Sequence, residues 1–289
     1  MKTHPSISSY ASRLIHNALA TVLTLATLGA VPITSNATEL LAGSASGGRL
    51  VLFSSDDPED VAVIHITGLQ PNEEILGMDV RPATGELYAL GGSSRLYTID
   101  LAGRTAHPVG TNSFTPALNG VRFGFDFNPT VDRIRIVSDT GQNLRAHPVT
   151  GVIVAVDGGL AYGTNDAGFG IAPMAVGAAY NNNDNDPTTG TMLFNLDAGR
   201  DVLVLQNPPN AGALSTVGSL GVDVSDIAGF DVAASDGTAY ASLINRGRPG
   251  RGNRAGLYVI DLETGAATFI GKIGGPKPLV SLATLGEMP

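Results

Sequence analysis

The chain has no cysteine and no tryptophan. Without cysteine there is no disulfide framework, no thiolate nucleophile or metal ligand, and no lipid-anchor cysteine. Without tryptophan it lacks the flat ring that sugar sites often use. Basic residues are scarce: 17 Lys and Arg against 26 Asp and Glu give a net charge of −9. A surface that acidic does not attract phosphate backbones, which excludes nucleic acid as a partner. No HExxH, GxSxG or Walker loop occurs, so the standard metalloprotease, serine-hydrolase and nucleotide signatures are missing. Beyond residue 37 no apolar run is long enough for a membrane span. Beyond that point the only histidines are His65, His107 and His147.

The start of the chain has a different character. Lys2 and Arg13 precede the apolar run Ala18–Val31, which is too short to cross a bilayer and is followed by Ser35-Asn36-Ala37. Basic, apolar and small-residue regions in that order describe a secretory signal peptide over residues 1–37, cleaved after Ala37. Loss of Lys2 and Arg13 makes the mature chain, residues 38–289, more acidic still. The expected location is periplasmic or extracellular.

What the mature chain does have is glycine, proline and short apolar runs. The whole sequence carries 37 Gly and 17 Pro, nearly all of them beyond residue 37, and with no long 3.6-residue periodicity they favour many short strands joined by tight turns. The clearest stretch runs from Arg122 to Val156. There, four alternating runs around Phe125, Ile134, Leu144 and Val154 are separated by turn-forming residues, which makes one antiparallel four-stranded unit.

The unit recurs. Gly77-Met78-Asp79-Val80, Gly124-Phe125-Asp126-Phe127 and Gly229-Phe230-Asp231-Val232 share a Gly-apolar-Asp-apolar core, and Gly177-Ala178-Ala179-Tyr180 is a degenerate copy. The interval is about fifty residues, in the range of blade-forming repeats. Second and third runs follow each copy, for example Arg133–Val137 and Leu257–Asp261. The two ends supply a fifth unit. Glu39–Ala42, Arg49–Phe53 and Val61–Thr67 read as strands two to four without a first, and Leu279–Leu285 reads as a first strand with nothing after it. Joining them predicts an all-β, five-bladed β-propeller of four-stranded antiparallel blades. The C-terminal strand closes its ring by pairing with the N-terminal blade. No linker interrupts the repeat, so residues 38–289 form one domain.

The runs FGFDFNPTVDRIRIVSDTGQNLR, LYALGGSSRLYTIDLAG and LYVIDLETGAATFIG also carry a resemblance. The chain resembles domain of unknown function 4394, a family of exported, mainly bacterial proteins. The resemblance spans essentially the whole mature chain. It implies export and a repeat, and no chemistry, because the family has no assigned activity.

In a propeller the first strand lies nearest the axis, so its glycine permits close backbone approach. Residues two apart share a face, which sends Asp79, Asp126 and Asp231 to the glycine side. Three carboxylates near one axis can serve as oxygen ligands for calcium, or accept backbone amides from their own turn or the neighbouring blade; the latter reading carries more weight in a repeat. Ala179 breaks the pattern in the fourth unit.

Other groups are weaker candidates. Asn181–Asp186 is oxygen-rich but lacks the glycine and distal Glu of an EF-hand. Arg246, Arg248, Arg251 and Arg254 lie in a Gly-rich loop. Arg133 and Arg135 should share a face and pair with Asp126, Asp132 or Asp139. The function that follows is a binding or scaffold module for a protein or small-molecule ligand, with a calcium site as an option. The alternatives are a glycosidase-like secreted hydrolase with carboxylates at the channel mouth, and a purely structural surface or matrix protein.

Overall fold

A computed structural model describes residues 38–184, 186, 188–247, 255–275 and 278–287. The signal peptide expected over residues 1–37, and Asn185, Arg248, Arg251 and Arg254, lie outside the described residues. The described chain is all-β apart from a single 3-10 turn at Pro209–Ala211, and it builds five sheets.

Blade 1 takes β1 (Glu39–Ala45), β2 (Arg49–Ser54) and β3 (Val61–His65) from one end and β21 (Ser281–Glu287) from the other. Blade 2 is β4 (Ile75–Val80), β5 (Leu87–Gly91), β6 (Arg95–Asp100) and β7 (Thr105–Val109). Blade 3 is β8 (Phe123–Asn128), β9 (Arg133–Ser138), β10 (Asn143–Ala146) and β11 (Ile153–Val156). Blade 4 is β13 (Ala175–Tyr180), β14 (Leu193–Asp197), β15 (Val202–Gln206) and β16 (Ala213–Ser219), with β12 (Ala161–Tyr162) added in parallel at its outer edge. Blade 5 is β17 (Val224–Val232), β18 (Ala239–Asn245), β19 (Gly256–Ile260) and β20 (Ala267–Lys272).

The innermost strands touch in the cyclic order β21, β4, β8, β13, β17 and back to β21, so the five-bladed ring is closed. At the seam β21 pairs antiparallel with β1, setting Ala283 opposite Ala42 and Thr284 opposite Leu41. The fifth unit expected from the two ends of the chain is this blade. The parallel strand β12 was not legible as a strand, being two residues long.

The apolar core is five wedges, one between each adjacent pair of blades. Strand β2 shows why the sequence reads as a continuous apolar run. Leu50 and Leu52 face blade 2, whereas Val51 and Phe53 face blade 5. Side chains alternate between faces, and here both faces are buried. Outer strands meet a neighbour less completely, and β11 and β20 are half exposed.

Candidate functional site

The inner strands pack closely because they carry glycine where two blades meet. A Cβ on Gly124 would lie 2.5 Å from the Cβ of Ala178, and one on Gly177 would lie 2.8 Å from the Cβ of Phe230. A Cβ on Gly229 would lie 2.5 Å from the backbone nitrogen of Leu282, and Gly77 stands in the same relation to Phe125. This one-blade offset aligns the fifth inner strand with the others. Ser281, Leu282, Ala283 and Thr284 occupy the Gly, apolar, Asp and apolar places.

Two residues along from the glycines, Asp79, Asp126 and Asp231 turn toward the axis. Each offers an oxygen within 4.8 Å of the others, and they are 3%, 0% and 1% exposed. Their bonds have a simple logic. In each inner strand the residue after the Asp place presents one N–H: Val80, Phe127, Tyr180, Val232 and Thr284. Asp79 accepts from its own neighbour Val80 (2.6 Å) and from Phe127 in blade 3 (2.7 Å). Asp126 accepts from Tyr180 in blade 4 (3.0 Å). Asp231 accepts from its neighbour Val232 (2.7 Å), and from both the amide (2.6 Å) and the hydroxyl (2.8 Å) of Thr284 in blade 1. Three carboxylates therefore serve five amides. Alanine is tolerated at 179 and 283 because the amides after those positions are met by Asp126 and Asp231 of the preceding Asp-bearing blades.

Burial is the main force acting on their protonation. It raises the carboxyls of Asp79 and Asp126 well above the usual range, and the adjoining carboxylates push further in the same direction. Asp231 is raised to about 7, again chiefly by burial, against the opposing hydrogen bonds from Thr284 and Val232. Near the other end of the inner strands, Arg122 reaches across from blade 3 to Asp226 in blade 5 (2.8 Å).

The model of the family described as "Domain of unknown function (DUF4394)" matches residues 49–283. The chain belongs to this family. No curated protein matches the DUF4394 chain. Among solved structures it is similar to a protein of unknown function from Bacteroides thetaiotaomicron, at 17% identity and a TM-score of 0.49, covering 88% of this chain and 66% of that one. A second is PorZ of Porphyromonas gingivalis, described as an essential bacterial surface component of the type-IX secretion system. It aligns at 13% identity and a TM-score of 0.39 over 81% of this chain and 29% of that one. The DUF4394 chain thus spans just under two thirds of the first structure's length and under a third of the second's.

The remaining candidates fall elsewhere in the DUF4394 fold. Arg135 does not pair with Asp126, Asp132 or Asp139. Its buried guanidinium bonds Asp157 (2.6 Å), Asn143 (2.7 Å) and Asn210 (2.7 Å), and Arg145 shares the same Asp157 (2.7 Å). Asp157 lies in the segment between blades 3 and 4, where no strand pattern marks it. Asp132 instead binds Arg81 of blade 2 (2.5 Å), and Asp139 accepts the amide of Val121. Arg133 bonds the backbone oxygens of Val131 and Asp132. In the Asn-rich loop, Asp184 and Asp186 are taken up by Thr188 and Thr189, and Asn183 donates to the Val232 carbonyl of blade 5. Arg246 pairs with Asp223.

Glu39 is another buried acid that no repeat pattern marks. At the start of β1, it accepts from Gly286 of β21 (2.6 Å) and from Ser235 of blade 5 (2.9 Å), and so ties the seam together. Its burial raises its carboxyl, and it adds negative charge beside Asp231.

Proposed function

We propose that this chain is an exported β-propeller that acts as a binding or scaffold module rather than as a hydrolase. The observation that carries the reading is the state of the three axial carboxylates. A glycosidase needs two carboxyl groups standing about 5 to 9.5 Å apart across an accessible substrate bond. Here the oxygens gather within 4.8 Å, are shut away from solvent, and accept the amides that join one blade to the next. Groups committed in this way rigidify a frame, and in such folds recognition falls to the connecting loops. Export is supported by the order of basic, apolar and small residues before Thr38.

The test is a panel of aryl glycosides incubated with the purified protein and with Asp79→Asn. Neither sample is expected to release aglycone above the protein-free rate. Turnover by the unsubstituted protein that disappears in Asp79→Asn would establish the hydrolase instead.

A further inference from the structure

Among the six carboxylate oxygens at the axis, five accept a main-chain amide. The sixth, Oδ2 of Asp126, accepts no hydrogen bond, in a side chain with no exposed surface. It belongs to a carboxyl that stands against that of Asp231, and two carboxyl oxygens brought together in this way must share a proton or a cation. A buried acceptor facing other acceptors lacks a positive partner.

No positive group among the described residues supplies one. Among the described residues, none of the three aspartates forms an ion pair. Arg135 is the cross-strand neighbour of Asp126, but its guanidinium is directed to Asp157, Asn143 and Asn210. Arg122, toward the other end of the axis, is held by Asp226. Glu39, the other titratable group acting on Asp231, is acidic and adds to the deficit.

From this geometry we infer that Asp79, Asp126 and Asp231 together hold one calcium ion on the propeller axis, which links blades 2, 3 and 5 through a single centre. Oxygens no more than 4.8 Å apart leave a point that lies within about 2.8 Å of all three, close to the 2.3–2.6 Å of calcium–oxygen bonds. Magnesium asks for bonds of about 2.0–2.1 Å in a near-ideal octahedron, a tighter and stricter arrangement than calcium's. Zinc prefers nitrogen and sulfur, and neither is present among these ligands. An oxygen that accepts an amide keeps a second lone pair, so the blade-to-blade bonds and metal ligation are compatible. Because all three carboxylates are buried, the ion enters as the ring forms and exchanges slowly afterwards.

This inference rests on the scaffold reading of the cluster, yet the two fail separately. A protein that hydrolyses glycosides and holds calcium refutes the first and keeps the second. One that does neither keeps the first and refutes the second.

The experiment is to unfold the purified protein in guanidinium with chelator, then refold it with calcium chloride, with magnesium chloride or in chelator alone. Metal content is read by elemental mass spectrometry after gel filtration, and the thermal midpoint is read on the same samples. The expected result is about one calcium per chain after calcium refolding, a midpoint several degrees above that of the chelator sample, and no comparable effect of magnesium. Asp126→Asn, which keeps the acceptor for Tyr180, is expected to lose both the ion and the calcium-dependent rise. The inference is overturned if the unsubstituted protein refolded in calcium carries no more metal than the chelator sample and melts at the same temperature. That outcome is read without any variant, so a misfolded Asp126→Asn cannot obscure it.

Discussion

At the scale of single residues, the axial aspartates have opposite consequences with and without a cation. The Asp231 carboxyl is raised to about 7 from an ordinary value of 3.8. A group whose folded value is raised binds its proton more tightly in the folded state. Its contribution to stability is complete below the unfolded value, and it is lost as pH rises through the folded one. In chelator, the midpoint of thermal unfolding is therefore expected to fall between pH 5 and pH 7.5. A loss of roughly 1–2 kcal/mol would lower it by about 2–8 °C in a chain of this size. Saturating calcium holds the carboxylates ionised and is expected to remove that slope. Melting curves across this range check both statements. A midpoint that rises with pH in chelator would mean that the carboxylates stay ionised without a metal.

At the scale of the strand, close approach of the inner strands is the structural demand, and Gly229 meets it at the junction with β21. A Cβ there would come within 2.5 Å of the Leu282 backbone nitrogen and of the Ser281 carbonyl carbon. Backbone cannot rotate aside as a side-chain tip can. Gly229→Ala is therefore expected to destabilise by about 1–3 kcal/mol or more, measured as a shift in the urea midpoint. Ala at Gly237, which has open space around it, would suffer only from its positive φ of 75°. The repeat was readable because this demand leaves Gly, apolar and Asp at fixed steps in three copies. It faded where the demand is met otherwise. In β21, Ser281 and Ala283 stand where the pattern has Gly and Asp, so only apolar alternation marked the strand. The sharing of three carboxylates among five amides was also hidden, since each inter-blade bond crosses about fifty residues and no local spacing encodes it. Asp157 escaped for a related reason. It serves Arg135 and Arg145 from a connecting segment, and a lone acid beside two glycines carries no periodic signal.

At the scale of the whole molecule, the ring and its family were legible from the repeat, whereas the partner is not encoded in any motif of the framework. Export gives a direct check: mass spectrometry of the protein recovered outside the cytoplasm is expected to find a chain beginning at Thr38. An intact Met1 on the exported protein would refute cleavage after Ala37. The seam sets when the ring can close. β21, the last of the described strands to be synthesised, occupies the innermost place in a blade whose other three strands are the first made. The ring therefore cannot close until β21 has been made, although the other three strands of that blade come first. Closure is thus the last step open to the ring as it folds, and the seam is where an incomplete ring stays open.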